Sequence, residues 1–190
     1  MTFVLLGIVV IAVVWAIGAY NGLVALKNRA AAAWSQIDVQ LKRRHDLVPN
    51  LVETVRGALE HERSTLESVV AARQRALDAH GPQQSAAAEQ DLSRALGRLF
   101  AVVEGYPELK ANQNVLALQE ELTNTENLIA FARQHYNDVV GQYHTRRETF
   151  PINLMMGSDF PTREYFTAPV EAQTVPKVDL GGIGKPRPEA

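Results

Sequence analysis

The stretch TFVLLGIVVIAVVWAIGAYNGLVAL, residues 2–26, holds no charged side chain, and its reading decides how the rest of the chain is organised. Phe3, Leu6, Ile11 and Trp15 belong to a run that is apolar on every side of a helical wheel, so no face is left for water. About 18 such residues rise roughly 27 Å as a helix, close to the hydrocarbon thickness of a bilayer. A single segment crosses lipid only as a helix, because a helix satisfies its own backbone groups. Tyr20, at the far end of the run, is placed to sit at headgroup level. A cleaved leader calls for a basic region ahead of a shorter apolar core, and this run has neither feature. A buried core helix of this length would be unusual beside helices that are strongly polar on one face. The sequence therefore predicts a single transmembrane anchor over residues 1–22, with Phe3, Leu6, Ile11, Trp15 and Tyr20 as anchor residues and the lipid bilayer as partner. Lys27, Arg29, Lys42, Arg43 and Arg44 follow the run with only Asp38 among them, and nothing basic precedes it. The positive-inside rule then puts the N-terminus outside and the body in the cytoplasm.

Working outward, Leu23, Leu26, Ala30, Ala33, Ile37, Leu41 and Val48 recur at spacings of three, four and seven, an amphipathic helix running directly out of the anchor. Pro49 lacks an N–H and disfavours helix at Val48, so a kink or short turn is expected there. A second helix should run from about Asn50 to Asp78, and Gly81-Pro82 reads as its stop. Ser85 is the expected N-cap of a third helix carrying Leu92, Leu96, Leu99 and Val103, which Gly105-Tyr106-Pro107 ends. The fourth helix is the cleanest: Val115, Leu118, Leu122, Thr125, Ile129, Ala132, Tyr136, Val139 and Tyr143 form one seam at alternating three and four. Taken alone the seam suits a coiled coil. With three companion helices and short connections, it predicts an all-α fold, an antiparallel up-and-down four-helix bundle over residues 23–150.

Phe150-Pro151 should close the fourth helix. Residues 151–168 then read as a hydrophobic capping segment. Phe150, Met155, Phe160 and Phe166 are the candidates to cap the membrane-proximal end of the bundle, enter the headgroup layer or meet a neighbouring copy. From residue 169 to 190 Pro, Gly and scattered charges dominate, and a disordered tail is expected.

Composition excludes several classes of function. Nineteen Lys and Arg against 21 Asp and Glu give a net charge of −2, with no concentrated basic face for nucleic acid. Without cysteine there is no thiol nucleophile, disulfide framework or zinc knuckle. The five histidines are dispersed, and no Glu or Asp precedes a His by three, the spacing of bundle di-iron sites. His61-Glu62 lacks the second His of a metalloprotease helix. The reading is a protein that is not an enzyme, with no metal, no cofactor and no small-molecule substrate.

What stands out instead is polar density. Around Pro49 lie Gln36, Asp38, Gln40, Arg43, Arg44, Asn50 and Glu53, and the fourth helix adds Glu126, Arg133 and Asn137. These are solvated faces with inter-helix hydrogen bonds, or they are the surface on which copies and partners pack. Gly18 and Gly22 add a spacing that lets two anchors approach closely.

These stretches resemble the LemA family of bacterial membrane proteins. The resemblance is carried by Tyr20-Asn21-Gly22-Leu23-Val24, by the block from Ala33-Trp34-Ser35-Gln36-Ile37-Asp38 through Leu47-Val48-Pro49-Asn50-Leu51-Val52, and by His61-Glu62. It continues through Glu120-Glu121-Leu122, Thr125-Glu126-Asn127, Ala130-Phe131-Ala132-Arg133-Gln134, Tyr136-Asn137-Asp138 and Phe150-Pro151-Ile152-Asn153, and departs at Leu128, where a basic residue is more usual. The resemblance implies a single-pass anchor in the bacterial inner membrane and an antiparallel bundle, but no catalytic residues. Some relatives are associated with forming or shaping membrane compartments, others with membrane proteases or signalling proteins. Two functions emerge as expectations: a homo-oligomeric scaffold that organises or shapes the membrane, or an adaptor presenting its bundle or tail to another membrane protein.

Overall fold

The structure is a computed structural model that describes residues 1–155 and 160–167. The expected tail, residues 169–190, lies outside the described residues. Among the described residues every regular element is helical: α1 Thr2–Arg56, α2 Arg63–Asp78, α3 Gly81–Glu104, the single turn α4 Pro107–Lys110, α5 Gln113–Glu148, and a 3-10 turn Ile152–Met155.

The apolar run and the first amphipathic helix are one helix of 55 residues. Its first part is long and apolar enough to cross a membrane and is bare of protein contacts: Phe3, Leu6, Ile11 and Trp15 are all exposed. Protein packing begins at Ala19 and Leu23.

Pro49 does not break α1, which runs through it to Arg56. The expected second helix is thus divided, its first residues belonging to α1 and the remainder forming α2. A proline at this position leaves the carbonyl of His45, four residues earlier, without its helical donor. Arg73 of α2 supplies the substitute, its Nε donating to the His45 carbonyl at 2.7 Å. The chain turns at Gly57 instead, and the Leu59 side chain fills the turn from inside. Ser85 is not a cap either. α3 begins at Gly81, whose φ of +80° suits glycine alone, with Pro82 in the first turn, while Ser85 is buried one turn further in. Asn112 caps α5, its Oδ1 accepting from the Asn114 N–H at 2.9 Å. α5 ends at Glu148, just ahead of Phe150-Pro151.

α1 and α5 share the most extensive interface. Three clusters of buried side chains run along the pair. Ala19 and Leu23 meet Tyr143; Ala30 to Leu41 meet Ile129, Tyr136 and Val140; Val48 to Val55 meet Val115 and Leu122. Ascending α1 thus means descending α5, so the two are antiparallel. In the far part, α2 and α3 pack on each other and bring Leu66, Val69, Leu92, Leu96 and Leu99 into the third cluster. In the near part the covering element is the extended segment 160–166, whose Phe160 and Phe166 enter the first and second clusters.

Candidate functional site

Where the two parts meet, α1, α3 and α5 bury a charged cluster. Arg44 and His45 are buried on α1, and Glu89 is buried opposite them on α3. His45 Nε2 donates to Glu89 Oε1 at 2.5 Å, and Arg44 Nη1 lies 3.3 Å from Glu89 Oε2. The second arm of Arg44 donates to Ser93 Oγ at 2.9 Å and lies 3.5 Å from Glu126 Oε2 on α5. Ser93 in turn donates to Glu126 Oε1 at 3.3 Å. One guanidinium therefore ties three helices together, as its planar fork permits. Arg44 Nε and Gln90 Oε1 are buried with no partner among the described residues.

Beside the cluster lies a half-open groove of about 530 Å³ between α3, α5 and the extended segment, lined among others by Glu89, Gln90, Glu126, Arg133, Asn137 and Thr167. Its chemistry is that of cross-linking. The Ser93 hydroxyl faces a guanidinium and a carboxylate, with no imidazole to take its proton. No three His, Asp or Glu among the described residues converge as metal ligands.

The segment 160–167 is held by a row of α5 side chains. Asn137 Oδ1 accepts from the Phe166 N–H at 2.9 Å and its Nδ2 donates to the Phe166 carbonyl at 3.3 Å. Tyr136 donates to the Glu164 carbonyl and Tyr143 to that of Pro161, each at 2.8 Å, and Arg147 Nε donates to the Phe160 carbonyl at 2.9 Å. His144 Nε2 meets the backbone of Arg163. Burial pushes the Tyr136 hydroxyl above its ordinary pKa, partly offset by Arg163. Trp34 packs 5.7 Å from the Tyr136 ring and 6.0 Å from Phe166.

Of the polar residues singled out in the sequence, Arg44, Glu126, Arg133 and Asn137 converge on the groove. Gln36, Asp38, Asn50 and Glu53 are exposed elsewhere on α1, Gln40 is half-buried, and Arg43 reaches across to Glu121 at 3.5 Å. Arg44 and Asn137 are turned to internal partners. Phe150 and Tyr20 are exposed, Phe160 and Phe166 buried, and Met155 contributes only its backbone to the described structure. Sequence reasoning missed Glu89, although a signal was present. Ser85, Glu89, Leu92, Leu96, Leu99 and Val103 are all buried along one stripe of α3, so Glu89 is a charge in an apolar register. His45, between Leu41 and Val48, carries the same signal on α1.

Three curated proteins are similar to this chain: magnetosome protein MamQ 1 and magnetosome protein MamQ 2 of Paramagnetospirillum magneticum, and magnetosome protein MamQ of Magnetospirillum gryphiswaldense. Each is 28% identical over 176 aligned residues, covering 77% of this chain and 64% of the relative. The chain thus spans slightly less than two thirds of their length, and none of the names is that of an enzyme. The LemA family pattern matches residues 33–180, from the Ala33-Trp34 block of α1 through the extended segment and beyond, and the chain belongs to the LemA family.

Proposed function

We propose that this chain is a membrane-anchored structural protein that self-associates and organises or shapes the bacterial inner membrane. The single observation that carries it is the continuity of α1. A bare apolar helix passes without a break into the packed body, so the anchor and body move as one lever. In this reading α1, α2, α3 and α5 make an antiparallel up-and-down four-helix bundle. The body lies on the cytoplasmic side, where Lys27, Arg29 and Arg43 follow the span. The polar chemistry supports the same reading, because the buried charges are spent on joining helices. Phe131, 72% exposed on α5, with exposed Leu128 one turn away, offers apolar surface for a neighbouring copy. Crosslinking and sizing of the detergent-extracted full chain tests this. Assemblies that dissociate in Phe131→Asp are expected, and a strictly monomeric particle at high concentration rules the proposal out.

The groove favours a second reading, an adaptor. It presents Arg133 and Glu126 beside Thr167, close in sequence to the Pro- and Gly-rich tail, so one partner could engage both groove and tail. Pull-downs comparing the full chain with a truncation after Ala168 test it. Identical partner sets remove any role of the tail.

A further inference from the structure

We propose that the end of α5 and the 3-10 turn form a second lipid contact, in which Phe150 and Leu154 enter the phospholipid headgroup layer beside the span. Phe150 is 73% and Leu154 75% exposed, among the most exposed large apolar side chains outside the bare part of α1. Their neighbour Ile152 is turned the other way and buried against Ala19, Leu23, Tyr143 and Phe160. The turn is therefore pinned to the body by one residue while two others point outward.

Register fixes the level at which they point. Across the antiparallel pair Trp34 packs on Tyr136 and Arg43 reaches Glu121. Continuing one residue for one at equal rise, Glu148 to Phe150 come level with roughly residues 15–20 of α1. That is where α1 loses its protein cover: Trp15 and Tyr20 are exposed, and packing begins only at Ala19. Phe150 and Leu154 thus sit beside the inner end of the apolar helix.

The surrounding side chains suit a headgroup layer. Trp15 and Tyr20 are exposed aromatic residues at this level of α1, the kind that settle at a membrane interface, and Tyr20 packs edge-on against Phe160 at 5.3 Å. Lys27 Nζ lies 5.6 Å from the centre of the same Phe160 ring, and Arg147 is tied to the Phe160 carbonyl. Arg146, in the last turn of α5, is exposed and makes no ion pair among the described residues. Exposed Glu148 is the one acidic group in the last turn of α5. Long basic side chains at this depth keep their stems in the apolar layer and turn their charges to lipid phosphates. Two contacts on one bilayer, the span and the turn, fix the tilt of the body as a lone span cannot.

The proposal rests on α1 being a membrane span. Because the chain has no cysteine, single labels separate the two claims. Full-length Phe150→Cys, Leu154→Cys, Ile11→Cys and Leu116→Cys are each labelled with a polarity-sensitive fluorophore. They are then reconstituted into phosphatidylcholine–phosphatidylglycerol vesicles with nitroxides placed near the headgroup or deep in the acyl chains. Ile11 should be quenched by the deep nitroxide, Phe150 and Leu154 should lose most of their emission to the shallow one, and Leu116, exposed on the far part of α5, should lose little. Quenching at Ile11 with none at either Phe150 or Leu154 overturns the second contact and leaves the span intact. No quenching at Ile11 overturns the span itself. Ready crosslinking of Leu154→Cys to itself without lipid quenching assigns the surface to a second copy and overturns the proposal.

Discussion

The far and near parts of this molecule are built on the same two helices and covered by different means. In the far part α2 and α3 lay aliphatic stripes on α1 and α5, and the burial is helix against helix. In the near part an extended segment does the covering, held by aromatic rings and by α5 side chains that bind its backbone. A helix brings its own hydrogen bonds and needs only apolar complementarity. An extended segment without a neighbouring strand must find a partner for each buried backbone group. That is why α5 carries polar residues at 136, 137, 143, 144 and 147 in the near part. Failure should therefore spread differently. Damage to the far part loosens α1, α2, α3 and α5 at once, whereas damage to the near part releases one segment.

The sharpest test is Glu89→Ala. It leaves buried His45 with no carboxylate and buried Arg44 with only the exposed Glu126 at 3.5 Å, and losing one member of a buried pair costs about 3–5 kcal/mol. Denaturant titration of the full chain in detergent should show that loss with both parts melting together. Replacing all three by apolar residues of like volume (Arg44→Met, His45→Phe, Glu89→Leu) should recover most of it, since a buried ion cluster is worth little over good packing. A triple variant as weak as the single one would show that the cluster contributes more than mutual neutralisation.

Phe166→Asp makes the matching test of the near part. It withdraws a ring buried against Trp34 and Tyr136, worth roughly 1.5–3 kcal/mol of burial. The segment can leave instead of burying a carboxylate, so hydrogen exchange should rise at residues 160–167 and around Trp34 while α2 and α3 stay protected. Loss of protection in α2 and α3 would mean that the two parts are not separable.

The same division separates the features the sequence displayed from those it hid. The uncharged run and the α5 seam were readable because each depends on periodicity within a single helix. So was the stop at Phe150-Pro151. Pro49 misled because the local cost is real but is met from outside the helix, by Arg73, which lies 28 positions from His45. Glu89 and His45 were visible as charges within apolar stripes, yet only folding pairs them, since 44 positions separate them. The row on α5 that binds the extended segment looked like an ordinary solvated face. Its partners are backbone groups, which no side-chain pattern advertises.

Arg73→Met tests the explanation offered for Pro49. The substitution keeps length and apolar stem but removes the donor to the His45 carbonyl, leaving a part-buried acceptor unmet at about 1–3 kcal/mol. If that bond holds α1 continuous, Pro49→Ala should rescue the variant, because an alanine supplies its own N–H to the same carbonyl. The readout is thermal unfolding of the two single variants and the double. Equal losses in Arg73→Met and in the double would mean that Arg73 acts through its packing or charge, with α1 crossing Pro49 by other means.

The smallest effect is expected one residue from the buried cluster. Arg43 and Arg44 are neighbours in the chain and alike in type, but α1 turns them about 100° apart. Arg44 faces inward with Glu89, whereas Arg43 meets Glu121 at 3.5 Å with the two side chains 52% and 49% exposed. In water-filled surroundings the attraction is screened, and ordering two long side chains offsets much of the remainder, so such a pair is worth about 0–1 kcal/mol. Arg43→Ala should therefore barely move the unfolding midpoint, and a double-mutant cycle with Glu121→Ala should return a coupling that fades in high salt. The pair also joins α1 directly to α5, and a coupling that survived high salt would mean that the far part closes over it in solution. In that event Arg43 would belong with the buried cluster, and the boundary between core and surface on this side of α1 would have to be redrawn one residue outward.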